Sequence, residues 1–219
     1  YTPCIGQILT ENHFKEIKTQ LPNILAHFFE KHHSPTQSLK GKNLIAFSVL
    51  LEYLKDFLEY DQICAQKEEI YIESLEKEYQ MTLQIPGVSQ SVLFKGSLDR
   101  VDKRNGVTHI IDFKTGAVKP TELKLKDWQD LKDNPEKGKI FQLLSYAALY
   151  GNSHGNEPVK TGIYSFKNTQ EGYMFFEDSL KPSDKSTVEE GAFSEFKEVL
   201  IGVVQELFNI EKPFVEKEV

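Results

Sequence analysis

Cysteine is nearly absent from this chain. Its two cysteines, Cys4 and Cys64, lie far apart and form no CxxC pair. That excludes a disulfide framework and a cysteine-built zinc site, and it fits a reducing compartment, so a cytoplasmic location is expected. Basic residues are also short: 26 Lys and Arg face 33 Asp and Glu, a net charge of −7. Such a balance argues against a free-standing nucleic-acid binder, because phosphate contacts dominate that affinity. It leaves room for a local basic groove, with other domains or subunits supplying much of the grip. No apolar run approaches the roughly 20 residues that span a bilayer, and no secretory signal is visible, so no membrane partner is expected. Internal repeats, low-complexity tracts and a strong linker are missing too. One domain over residues 1–219 follows, with a helical part at 1–66, a core at about 68–180 and a last helix at about 188–209. The chain opens on Tyr1 rather than Met, which suggests a fragment of a longer polypeptide.

What is present centres on Asn105-Gly106, the strongest short-range signal for a two-residue type I′ hairpin turn. Apolar and β-branched residues flank it on both sides. Counting outward, Arg104 faces Val107, Asp102 faces His109, Val101 faces Ile110, Arg100 faces Ile111, and Asp99 faces Asp112. Two carboxylates placed opposite each other destabilise a strand pair. Lys114 lies two residues past Asp112 and shares its face. A divalent cation between the carboxylates resolves the repulsion, and an all-oxygen ligand set suits Mg²⁺ or Mn²⁺. Arg100 points to the other face, where an ion pair with Asp102 is its expected role.

Around this hairpin the periodicities predict an α/β domain, a mixed sheet flanked by helices. Thr10 caps a first helix, and Pro22 opens a second at its first position, with Ile24, Leu25, Phe28 and Phe29 as its apolar stripe. His27, His32 and His33 diverge around that helix and are read as surface or core-edge residues near its end, not ligands. A loop follows at Ser34–Gly41. A long helix at Asn43–Gln66 carries Leu44, Phe47, Leu51, Leu54, Phe57 and Leu58 toward the core and no chemistry. Extended structure is expected from Ile70 to Leu83 and again from about Val92. After Gly116 comes a lysine-rich connector, with a short helix near Leu123–Leu131 carrying Trp128, that could reach over a substrate. A helix at Lys139–Tyr150 places Gln142 and Tyr146 on one face. Strands near Val159–Phe166 and Tyr173–Phe176 precede the last helix.

Three ordered motifs, Gly96-x-x-Asp99-Arg, Ile111-Asp112-Phe113-Lys114-Thr-Gly and Gln142-x-x-x-Tyr146, resemble the RecB/AddB branch of the PD-(D/E)xK nucleases. The likeness covers about Leu93 to Tyr150 and implies a restriction-endonuclease-like core. It implies metal-dependent hydrolysis of DNA phosphodiester bonds, with exonuclease action expected. Asp99 and Asp112 would bind Mg²⁺ or Mn²⁺ with the backbone carbonyl of Phe113. Lys114 would hold the attacking water or stabilise charge at phosphorus. Gln142 and Tyr146 would position the nucleophile side or contact the DNA backbone, although a helix packed on a sheet also buries such a pair for packing alone. Glu76 resembles a glutamate that often precedes the first site strand, but its spacing to Asp99 is loose and it is not counted in the site.

Two departures stand out. The branch's early histidine, in a context like Gly-Thr-x-x-His-x-x-Leu-Glu, is missing here; His27 lacks its lead, and the motif is expected upstream of Tyr1. The four cysteines of an iron–sulfur cluster are missing too, so no cluster is expected within this chain. The resemblance further implies a module of a helicase-nuclease repair or recombination protein, with DNA and a helicase or helicase-like domain as partners. The competing readings are a DNA-binding scaffold that kept the fold without catalysis, and a phosphodiesterase acting on another nucleic acid.

Overall fold

The computed structural model describes residues 1–32 and 40–211. The readings at His33, at most of the following loop and at Pro213 fall outside these residues. Two long helices come first, α1 (Glu11–His32) and α2 (Lys42–Ala65). The expected break at Pro22 does not occur: α1 runs through it as one helix. An interior proline forfeits a backbone hydrogen bond, but Phe14, Leu21, Leu25 and Phe29 form one buried stripe across it. That continuous packing outweighs the local defect. Ile24 and Phe28, expected in the stripe, are exposed instead.

The central sheet is six-stranded. Along it lie β1 (Ile70–Leu83), β2 (Val92–Arg104), β3 (Val107–Lys114), β5 (Val159–Ser165) and β6 (Tyr173–Phe175), with β8 (Thr187–Val188) also pairing β5. The two-residue β4 (Lys124–Leu125) and β7 (Glu177–Asp178) pair separately. The β3–β5 pair is parallel and its neighbours antiparallel, so the sheet is mixed. A parallel pair needs a crossover, supplied by α4 (Gly138–His154). One face packs on α4 and α5 (Glu190–Leu207), through Leu98, Val101, Ile110, Leu143, Ala147 and Phe196. The other face carries α1 and α2, through Leu21, Leu58, Ile70 and Ile72 and, further along, an aromatic cluster of Phe57, Tyr164 and Tyr173. The connector holds a 3₁₀ turn (Pro120–Leu123), β4 and the one-turn α3 (Asp130–Asp133) where a single short helix was expected.

The hairpin forms as read. Asn105 and Gly106 have φ of 47° and 82°, the left-handed pair a type I′ turn requires. The four rungs from Arg104–Val107 to Arg100–Ile111 keep the predicted register. Past that point β1 and β2 turn over. On β2, Arg100 and Asp102 lie with α2 while Leu98 packs with α4, although all three positions are even. On β1, Leu75 packs with the α1–α2 cluster while Tyr79 packs with α4, although both are odd. The pairs Leu75–Arg100 and Lys77–Leu98 bracket the reversal, which therefore falls on Glu76 and Asp99. Glu76 has φ of 49°. A left-handed backbone costs a residue with a Cβ about 1–2 kcal/mol, and glycine's extra unfolded-state entropy offsets part of that. Glu76→Gly is expected to stabilise the apo fold by about 0.5–1 kcal/mol, raising Tm by about 2 °C in thermal denaturation.

Candidate active site

Asp99 sits where the β2–β3 ladder stops, so it does not face Asp112 across a regular rung as the hairpin count predicts. Its Oδ2 instead accepts the backbone N–H of Phe113 at 2.8 Å, replacing the ladder bond that the reversal removes. This hydrogen bond lashes the Asp99 carboxylate to the strand carrying Asp112. Asp112 is buried. Lys114 Nζ lies 2.9 Å from its Oδ2. The Lys114 ammonium compensates the charge of this oxygen, which accepts no other hydrogen bond. Burial raises the Asp112 carboxyl pKa; Lys114 pulls it back and Asp99 pushes it up again.

From Lys114 a chain of contacts runs to α4. The ammonium donates to Gln142 Oε1 at 2.7 Å, and Gln142 Nε2 donates to Tyr146 OH at 2.8 Å. An ammonium has only donors, so it fixes which end of the amide faces it. The Gln142 NH₂ must then point at Tyr146, whose oxygen accepts and whose proton remains for another acceptor. Tyr146 is pushed up in pKa by burial, against Gln142 and with Asp112, Asp99 and Glu76, so it stays protonated. The structure therefore brings Asp99, Asp112, Lys114, Gln142 and Tyr146 together. The Phe113 side chain turns to the other face, against Phe57 and Phe166.

Two residues were undervalued or missed. Glu76, set aside for loose spacing, lies on the rung of Asp99; burial raises its pKa, and Asp99 adds to the rise. Asp61 lies on α2, the helix to which no chemistry was assigned, yet it is fully buried against Arg100. The signal was there: Leu54, Phe57, Leu58 and Asp61 follow one helical stripe, and a carboxylate in such a stripe needs a buried cation. The Arg100–Asp102 ion pair forms as expected, at 2.6 Å. His27 and His32 are exposed on α1, with His32 against the Phe28 ring.

Among the described residues no group of three or more His, Cys, Asp and Glu could enclose a metal ion. The pair Asp99–Asp112 nevertheless fits an open divalent-cation site. Mg²⁺ is commonly held by one or two carboxylates, with water and substrate phosphate completing its shell. The buried Asp112 Oδ2, met only by the Lys114 ammonium, is the observation that fits such an ion. Cys4 and Cys64 are apart from this site, one in the α1–α2 cluster and the other at its edge.

Comparison with known protein families matches residues 9–218 to the PD-(D/E)XK nuclease superfamily, a span running from before α1 to beyond α5. No individual curated protein matches the chain. The mixed sheet with helices on both faces is the α/β arrangement of a restriction-endonuclease-like core. Among the described residues no helix is long and apolar enough to cross a membrane. With nearly its whole length matched and its sheet built on that plan, the chain belongs to the PD-(D/E)XK nuclease superfamily.

Proposed function

We propose that the chain is a metal-dependent deoxyribonuclease, and that Asp99 and Asp112, with the Phe113 carbonyl, hold Mg²⁺ or Mn²⁺. The observation that carries this reading is the buried Asp112 oxygen, met only by the Lys114 ammonium, beside a second carboxylate. A bound divalent ion supplies Lewis-acid stabilisation at the phosphate and lowers the pKa of bound water. The chain's own groups do the rest. Asp99, tied to the Phe113 N–H, holds its carboxylate against the strand that carries Asp112. Lys114 places a positive charge at the carboxylates, where it stabilises charge developing on the phosphoryl oxygens. Gln142 is a positioning residue, orienting both the Lys114 ammonium and the Tyr146 hydroxyl. Tyr146 offers its free proton to a phosphate oxygen.

The ordered motifs at Gly96–Arg100, Asp112–Lys114 and Gln142–Tyr146 support a place in the RecB/AddB branch, exonucleolytic action, and a module serving a helicase-nuclease repair or recombination protein. Cleavage of end-labelled linear duplex, single-stranded DNA and RNA is measured with Mg²⁺, Mn²⁺ or EDTA, on wild type and Asp112→Ala. Metal-dependent loss of DNA label from the ends is expected. DNA binding by wild type with no cleavage gives the scaffold reading instead, and cleavage of RNA alone overturns the substrate assignment.

DNA delivery fits the rim at the C-terminal ends of β3 and β5. Residues 114–118 are tied to 165–168 there by Phe166 N–H to Lys114 O, Ser165 Oγ to Gly116 O and Asn168 Nδ2 to Val118 O. The exposed Lys119 and Lys167 border this rim. Each phosphate contact contributes about 0.7–0.9 to the slope of log affinity against log salt. A Lys119→Ala, Lys167→Ala double variant is expected to lower that slope by about 1.4–1.8 in anisotropy titrations with Ca²⁺ in place of Mg²⁺. An unchanged slope removes these lysines from the DNA path.

A further inference from the structure

The sheet face opposite α4 buries a set of charges that the proposed chemistry does not use. Arg100, Asp61 and Asp102 have no exposed side-chain surface. Arg100 Nε donates to Asp102 Oδ2 at 2.6 Å, and its Nη1 and Nη2 fork onto Asp61 at 2.8 and 3.5 Å. Asp61 also accepts from Tyr1 OH at 2.6 Å and Tyr173 OH at 2.8 Å, so both its oxygens are filled. Asp102 is held a second time by Arg104, through Nε at 2.9 Å and Nη2 at 3.1 Å.

Stability does not account for this arrangement. Taking ions out of water costs several kcal/mol each, and replacing a buried pair by apolar residues of similar volume is often neutral or stabilising. Position does account for it. Asp99 lies between Leu98, fully buried in the α4 core, and Arg100, fully buried among the charges on the α2 side. In a regular strand, positions two apart share a face. Leu98 and Arg100 are pulled to opposite faces, and the reversal between them is what swings the Asp99 carboxylate onto the Phe113 N–H. Leu98 needs no special partner to stay in an apolar core. Arg100 is held on its side by Asp102 on its own strand and by Asp61, which from another element takes its two remaining nitrogens. A guanidinium can fork in this way while spanning to Asp102; an ammonium cannot.

We infer that Asp61 on α2 is a positioning residue for the metal-binding carboxylate Asp99 and acts through Arg100. This rests on the reading of Asp99 and Asp112 as a metal pair. The residues on α2 and β2 set the angle of a carboxylate on the far side of the sheet without touching the ion.

The test measures Mn²⁺ binding by calorimetry and metal-free Tm by circular dichroism, on wild type and four variants. The double variant Asp61→Leu, Arg100→Met removes one charge of each sign and leaves Asp102 paired with Arg104. It leaves the Tyr1 and Tyr173 hydroxyls without their Asp61 acceptor, so its metal-free Tm is expected to fall, while in the folded variant Mn²⁺ binds about 10- to 100-fold more weakly. Arg100→Lys and Asp61→Asn are expected to weaken Mn²⁺ binding in the same direction, and they decide the matter if the double variant does not fold. Folded variants that bind Mn²⁺ as wild type does overturn the positioning role. The fourth variant, Asp112→Ala, tests the underlying site. If wild type binds no Mn²⁺, or Asp112→Ala binds it equally well, the metal pair itself is wrong and this inference falls with it.

Discussion

Asp112→Asn is expected to cut metal-dependent cleavage by at least about 10³-fold while leaving the metal-free protein as stable as wild type or more so. Two features of Asp112 pull in these opposite directions. Its buried Oδ2 is met only by the Lys114 ammonium, and burial with Asp99 nearby raises its pKa despite that contact. A carboxyl whose folded pKa lies above its unfolded value destabilises the fold when ionised. The native state binds the extra proton in the window between the two values, so this group's contribution to stability improves as pH falls through that window. Asparagine removes the charge and keeps the shape. The variant's advantage in urea denaturation is therefore expected at pH 7, shrinking as pH falls through the raised folded value toward the unfolded one, about 3.9. Added Mg²⁺ is expected to raise the Tm of wild type and leave that of the variant unmoved, because only a site that binds in the folded state gains by mass action. A variant that loses several kcal/mol at pH 7, or that still gains stability from Mg²⁺, makes Asp112 an ordinary buried ion-pair partner.

The hairpin was legible because its information is local. Asn105-Gly106 fixes the turn, the turn fixes the register, and the register carries Arg100 to Ile111 without help from elsewhere. The rung beyond was misread because its geometry is not local. It depends on Leu98 and Arg100 being drawn to opposite faces by α4 and α2, and strand periodicity assumes that neither happens. The same reversal hid Glu76, since it falls opposite Asp99 only through the long β1–β2 ladder. Pro22 misled for the opposite reason: a local rule predicted a break, and a stripe packed across it kept α1 whole. Of the candidate site, the hairpin count put Asp99, Asp112 and Lys114 on one face and the resemblance added Gln142 and Tyr146; contacts link these five residues in the fold. The direction of the Gln142 amide was not legible, because it follows from which atom of a distant lysine meets it.

Lys114→Met is expected to tighten metal binding while slowing the chemical step, a split that a structural lysine does not produce. The ammonium stands 2.9 Å from Asp112 Oδ2, the oxygen that the ion would use, so it competes with the ion for the same charge. Lys114 is 29% exposed, and solvent screening holds the gain on its removal to about 1 kcal/mol, roughly fivefold in Mn²⁺ affinity. At saturating Mn²⁺ the single-turnover cleavage rate is expected to fall by about 10²–10³-fold, the cost typical of losing one preorganised charge at a transition state. Methionine keeps much of the stem and removes only the donor, so the Gln142 amide is no longer forced to point its NH₂ at Tyr146. Once free to turn, its carbonyl accepts the phenolic proton and takes it from the substrate. Tyr146→Phe, which alone is expected to slow cleavage about tenfold, should therefore cost much less on top of Lys114→Met. Rates that multiply without such coupling mean that lysine and tyrosine act independently, and that Gln142 transmits nothing between them.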